Sequence, residues 1–289
     1  MFDVRYHALS LAAVLVALVL GLLLGVAIGD AGLVSSAERE IRADLRSDIS
    51  EANERADDLE RVVEQKERFE REVYPLLVTG QLEGSRIGLV FLGRTSDTIV
   101  GAVREALGET GGRLATVVTV REPVDLGQLA DAATGTRYTA LPDDTSLVDD
   151  FGARMGVQLV EGGRLLERVD RALFSTQAGS FGRLDAVVVL RDGPSLDGAQ
   201  DASRDAFEDG FMRGLREAGA RVAGVQTRPT DPSQIPWYAD RGLSTVDNVN
   251  DTAGRAALVF VLAGAEGDYG VRDTADALLP KVAGGAPSP

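Results

Sequence analysis

The run Arg86-Ile87-Gly88-Leu89-Val90-Phe91-Leu92 decides the fold. It is apolar without alternation, whereas a strand that hides one face alternates polar and apolar residues. The run therefore predicts a strand buried on both faces. Gly93-Arg94-Thr95-Ser96-Asp97 follows as a turn. Ile99, Val100, Val103 and Leu107 then mark one face of a helix. Gly111-Gly112 turns into a second strand, Leu114 to Val120. Strand, helix and strand in this order form a crossover unit, and such units build parallel sheets covered by helices.

The same grammar continues towards the C-terminus. Pro123 to Gly135 holds a short helix, and Pro142-Asp143-Asp144 is a turn. Two helices follow, near Thr145 to Met155 and Val157 to Phe174, the second with Leu159, Leu165, Leu166, Val169 and Leu173 as its apolar face. Asp185 to Leu190 is another buried strand, which leaves through Arg191-Asp192-Gly193-Pro194. Asp201 to Ala218 is an amphipathic helix with Phe207, Phe211 and Leu215 inward. Arg221 to Gln226 is a strand, and residues 228–242 are a Pro-rich loop holding the only tryptophan, Trp237. Leu243 to Val246 reads as a short edge strand, and Asp251 as the cap of a helix over Thr252 to Ala263. The expected fold class is α/β, with a mostly parallel-sheet domain over 80–280 and a disordered tail over 281–289.

Towards the N-terminus the pattern changes. Behind a short tail, residues 1–7, Ala8 to Gly29 contains no charged side chain. At 1.5 Å per residue it spans about 33 Å, enough for a hydrocarbon core of roughly 30 Å. Residues 8–29 are therefore expected to be a transmembrane anchor, with the N-terminus cytoplasmic and the main domain extracytoplasmic. Ala27-Ile28-Gly29 leaves a cleaved signal peptide open, although such a peptide's apolar core runs only about 7–15 residues. Gly21, Gly25 and Gly29 recur at the spacing that lets membrane helices approach closely, and glycine is also simply common in such helices.

After a short Gly-containing joint, residues 33–74 read as a charged helix. From Glu38 to Glu72, 21 of 35 residues are charged, so a buried core helix is excluded. Leu45, Ile49, Ala52, Ala56, Leu59 and Val63 follow a 4-3-4-3-4 spacing, which is a heptad seam. Lys66 interrupts it, and a shifted seam runs through Val62, Phe69, Val73 and Leu76. Glu38–Arg42, Glu51–Arg55, Asp57–Arg61, Glu64–Arg68 and Glu67–Arg71 place an acid four residues before an arginine. Two readings stand, a parallel coiled-coil stalk and a lone charged helix. Pro75 is expected to end the helix. About forty helical residues would hold the domain about 60 Å from the membrane.

Composition narrows the function. The net charge of −15 repels phosphate, so no nucleic-acid partner is expected. There is no cysteine and one histidine, His7, beside the membrane segment; Met155 and Met212 stand apart in sequence. No cofactor or metal site follows from the residues, and no G-x-G-x-x-G or Walker A pattern occurs. The acidic pairs Asp143-Asp144 and Asp149-Asp150 lack a calcium-loop spacing. A Ser–His–Asp site would have to use His7, so no enzyme is expected. Ligands of open α/β sheets bind beyond the carboxyl ends of the strands. Arg94, Asp97, Arg191, Asp192, Asp247 and Asn248 fall there and form a candidate polar cluster, although caps and loop salt links use the same residue types. Trp237 and Tyr238 form either an exposed recognition patch or packing beneath their loop.

Two blocks carry a family resemblance. Phe2-Asp3-Val4-Arg5-Tyr6-His7-Ala8-Leu9-Ser10-Leu11-Ala12-Ala13-Val14 is one. Ser244-Thr245-Val246-Asp247-Asn248-Val249-Asn250-Asp251-Thr252-Ala253-Gly254-Arg255-Ala256-Ala257-Leu258, continued by Tyr269-Gly270 and Leu278-Leu279-Pro280, is the other. They resemble the actinobacterial MctB-like copper transport family. The resemblance implies copper homeostasis and export at a mycobacterial-type outer membrane, with copper as the implied cargo. It also implies a septal envelope complex in which the stalk engages a membrane partner. The residues themselves lead to a single-pass envelope protein, a scaffold or regulator acting through a homodimer or heteromeric partner on the stalk. A copper transport or efflux component is the alternative.

Overall fold

The structure, a computed structural model, describes residues 4–29, 33–193 and 196–281. The joint expected after the membrane segment falls mostly outside these residues, as does the tail beyond Lys281. The chain divides into two units, Met1–Phe69 and Glu70–Pro289.

The first unit is helical. α1 (Val4–Gly29) contains the one span among the described residues long and apolar enough to cross a membrane, Tyr6–Ala27. α2 (Leu33–Val78) carries the charged sequence. Arg55 pairs with Glu51 as the spacing predicts, but Arg61 turns to Asp58, three residues back, and not to Asp57.

α2 runs through Pro75 and so corrects the predicted stop there. Proline removes one helical N–H and costs roughly 3 kcal/mol in a helix interior. Contacts within the second unit offset that cost: Val78 is fully buried, and the Tyr74 hydroxyl donates to the Ala106 carbonyl at 3.1 Å. Thr79 closes the last turn by donating N–H and hydroxyl to the Pro75 carbonyl, at 2.9 and 2.6 Å. The chain then leaves at Gly80, whose φ of +73° suits glycine.

The second unit is an α/β sandwich. Its strands are β1 (Arg86–Gly93), β2 (Arg113–Val120), β3 (Phe174–Gly179), β4 (Ala186–Asp192), β5 (Arg221–Val225), β6 (Ser244–Val246) and β7 (Asp268–Tyr269). They form one seven-stranded sheet in the order β3-β2-β1-β4-β5-β6-β7, parallel except for β3 on β2. Counting the parallel strands alone, the order is 2-1-3-4-5-6, so the winding reverses between β1 and β4. The helices are α3 (Asp97–Leu107), α4 (Leu126–Ala132), α5 (Leu147–Glu161), α6 (Arg164–Leu173), α7 (Gly198–Glu217), α8 (Ile235–Ala239) and α9 (Thr252–Ala263).

The unalternating strands supply two cores. Val90 and Leu92 of β1 with Val187 and Val189 of β4 face a core built with α4 to α7. Leu89 and Phe91 with Val188 and Leu190 face a second core closed by α3 and α9. In the first core α5 and α7 meet backbone to backbone. A Cβ on Gly152 or Gly156 would collide with the Phe207 or Phe211 carbonyl, and one on Gly210 or Gly214 with the Asp149 or Ala153 carbonyl.

Three expectations need correction. The break between the two central helices falls at Gly162-Gly163, where Gly162 has φ +85°; Gly156, read as the break, lies inside α5 against α7. Phe174 opens strand β3, which its polar Ser-Thr-Gln core concealed. β6 is not an edge strand, because β7 pairs outside it. Asp251 occupies the N-cap of α9 as expected, though without a side-chain capping bond, whereas Ser96 and Asp125 accept from Ile99 and Gln128 N–H at 3.4 and 2.9 Å.

Candidate functional site

The reversal between β1 and β4 opens a crevice at the strands' carboxyl ends, where doubly wound sheets bind ligands. A cleft of about 780 Å³ lies there, its walls the turns after β1, β4 and β5. Ile99 and Leu190 give it an apolar base, and Arg94, Arg191, Asp192 and Arg204 a charged rim.

Three of the six predicted cluster residues meet here. Arg94 donates to Asp192 at 2.7 Å, and both side chains are exposed. Arg191 is largely buried. Its Nε donates to Glu208 at 2.9 Å and its Nη1 to the Gln234 side chain at 3.1 Å. Its guanidinium also lies 4.9 Å from the Trp237 ring centre. The Arg191 backbone N–H donates to the Tyr238 hydroxyl at 2.8 Å, and that hydroxyl donates to the Val225 carbonyl at 3.1 Å. Tyr238 thus ties β4 to β5 just below the cleft.

The other three do not join them. Asp97 is the exposed first residue of α3, placed well for the helix dipole. Asp247 is buried and accepts from the backbone N–H groups of Val271 and Arg272, both at 2.9 Å. It is a loop clamp at the end of β6. Asn248 is buried beside it, with its backbone carbonyl against Gly254 of α9. Trp237 is no open patch either; the Arg241 guanidinium covers its ring at 3.8 Å and Arg191 lies over it as well.

Sequence reasoning missed Glu122, Arg204 and Glu208. Glu208 is 1% exposed on α7, and burial pushes its carboxyl up to about 8 despite Arg191 beside it. The Glu122 carboxyl, after β2, is also raised by burial, and among the described residues neither of its oxygens has a hydrogen-bond partner. It lies where a Cβ on Gly193 would be. Arg204 pairs with Asp201 and lies 3.7 Å from Asp205. One signal was available: Arg204, Glu208, Phe211 and Leu215 share the 4-3-4 spacing of the buried face of α7, and a charge in such a row needs a buried partner.

The acidic pairs have structural partners. Asp149 takes a bidentate contact from Arg213, at 3.0 and 2.6 Å, and Asp150 accepts from Arg137 and from Tyr138 at 2.7 Å. Among the described residues no three His, Cys, Asp or Glu side chains gather as a metal site. Met155 and Met212 are buried in the first core, and His7 is on α1. Copper(I) favours thiolate and thioether ligands and copper(II) favours imidazole, so this donor set does not fit a copper centre.

The second unit is thus a doubly wound α/β unit with a crevice at its switch point, in a chain that carries one membrane-length helix among its described residues. The chain belongs to the family described as copper transport outer membrane protein, MctB, whose model matches residues 1–280. Comparison with curated proteins finds no match.

Proposed function

We propose that this protein is a single-pass envelope protein that displays its α/β unit outside the membrane and works through partners engaged by α2, as a scaffold or regulator. The observation that carries this reading is a row of large apolar side chains on a highly charged helix. Leu45, Ile49, Leu59 and Val63 are each more than half exposed. Exposed Ala52 and Ala56 complete the heptad spacing. Such a row is the seam of a coiled coil before pairing. Fully burying each Leu or Ile is worth about 1.5–3 kcal/mol. An anchor at each N-terminus would hold two copies in parallel, so a second copy of this chain is the first partner to expect. Gly21 and Gly25 leave open space on α1 for the same association. Sedimentation of the full chain in detergent tests this: a dimer is expected, and Leu59→Glu should return it to a monomer. A monomeric wild type would remove the basis of the reading.

The family match supports a second reading, a role in copper homeostasis at the envelope. The donor set argues for a role through partners and not through ligation of the ion by this chain. Titration calorimetry of the full chain with copper(I) and copper(II) separates the two, since tight stoichiometric binding would make the chain itself the carrier.

A further inference from the structure

The two edges of the sheet are finished differently. At one, β7 is only two residues long and the chain returns along it: the Gly270 N–H donates to the Ala277 carbonyl at 3.0 Å, and the Asp276 N–H to the Asp268 carbonyl at 2.7 Å. A short strand under a covering loop leaves little for another chain to pair with. At the other edge β3 is six residues long and open. Ser175 to Ser180 are all exposed, so neither helix layer covers the strand. Charges and prolines usually guard such an edge, and Phe174 to Gly182 contains neither. A register shift falls at the start of β3, and Thr176 to Gly179 stay in step with β2. The Ala178 carbonyl and the Ser180 N–H turn towards β2, accepting from the Thr116 hydroxyl at 3.2 Å and donating to the Ala115 carbonyl at 3.3 Å. The N–H and C=O of Gly179 between them therefore point away from the sheet, and by the same alternation so do those of Gln177.

Arginines flank this uncharged edge in a chain of net charge −15. Arg121 and Arg171 stand at the start of β3, where the Arg121 N–H donates to the Leu173 carbonyl at 2.9 Å. Arg113 opens β2 beside the other end, and Arg183 follows β3. All four are exposed, and among the described residues none of their guanidinium groups pairs with an acid. Asp170 and Asp185 accept instead from the backbone N–H groups of Arg171 and Arg86, at 2.6 and 2.8 Å, and Glu122 turns inward against Gly193.

We propose that the free edge of β3 docks an extended acidic segment of a partner protein, which adds to the sheet as a further strand. Backbone groups at Gln177 and Gly179 supply the ladder, and the arginines at the two ends select the charge. The charges also decide against a second copy of this chain. Two β3 edges can pair symmetrically only in antiparallel fashion, which sets Arg121 and Arg171 of one copy against Arg113 and Arg183 of the other at both ends. Like charges so placed repel. This surface lies on the α/β unit and is separate from the seam of α2.

The test uses the full chain in detergent and two fluorescent peptides with the same alternating Thr-Val core, one ending in aspartates and the other in lysines. Anisotropy should show binding of the aspartate peptide only. Hydrogen exchange should be fast at the Gln177 and Gly179 amides in the chain alone and slow about tenfold or more with the aspartate peptide at saturation. Gln177→Pro removes an outward N–H and no bond to β2, so it should weaken binding about tenfold. Arg171→Glu combined with Arg183→Glu should reverse the preference between the two peptides, a result that stands even if the proline variant fails to fold. Absence of protection at Gln177 and Gly179 with the aspartate peptide, or equal protection by both peptides, would overturn the proposal. So would protection of these amides in the chain alone that is lost on dilution, because a second copy would then hold the edge. Exchange is read amide by amide, so the result at β3 stands whichever state sedimentation gives for the stalk.

Discussion

Gly210→Ala should destabilise the α/β unit, although alanine is the better helix former. The gain in helix propensity is about 1 kcal/mol. Against it stands the α5–α7 crossing, where an ideal Cβ on residue 210 would overlap the Asp149 carbonyl oxygen, with that carbonyl carbon at 2.8 Å and Ala153 N at 3.0 Å. These are backbone atoms with no rotamer to yield, so the two helices must part along the whole contact. Overpacking of this kind costs typically 1–3 kcal/mol and occasionally more, and here it also opens the reciprocal contacts at Gly152, Gly156 and Gly214. The expected net loss is about 2 kcal/mol. Gly101 supplies the control: it lies in α3 with nothing within 4 Å of its added Cβ, so Gly101→Ala should stabilise by up to about 1 kcal/mol. Denaturant unfolding followed by the fluorescence of the single tryptophan, Trp237, reads both variants, because its packing between two arginines is lost on unfolding. Equal or like-signed effects of the two substitutions would refute the claim that the helices touch through their backbones.

Two further outcomes follow from buried hydrogen bonds. Asp247→Ala removes the acceptor of the Val271 and Arg272 N–H groups and should cost about 2–3 kcal/mol, with faster exchange of those two amides as its local signature. Tyr238→Phe removes the hydroxyl between Arg191 N–H and the Val225 carbonyl at a cost of about 1–3 kcal/mol, read by the same tryptophan unfolding assay.

Strands with two buried faces were the most legible part of the chain. β1 and β4 are unbroken apolar runs, and the turns beside them carry glycine. β3 was illegible because Ser175, Thr176 and Gln177 are exposed, and pairing with β2 rather than an apolar pattern makes them a strand. β7 is two residues long, Asp268 and Tyr269, so β6 read as an edge. Pro75 misled because local preference was set against tertiary contacts through Tyr74 and Val78 that no local rule contains. Arg94, Arg191 and Asp192 follow their strands, and the structure brings them together at the crevice. Glu122 follows β2 and Glu208 lies in the middle of α7, so no local spacing joins two carboxyls that are both raised by burial. Asp247 had the right position on its strand, but the loop at 271–272 already consumes its carboxylate.

The stalk is the centre of the functional reading, and the absence of cysteine from the chain allows a clean test of it. A single cysteine introduced as Leu59→Cys lies in the exposed seam, and mild oxidation of intact cells reports what stands opposite. A crosslinked band at twice the chain mass, repeated with Ala56→Cys and absent when cysteine is placed outside the seam at Glu60, is the result this account predicts. No crosslink at either seam position, or equal crosslinking at Glu60→Cys, would contradict a paired stalk.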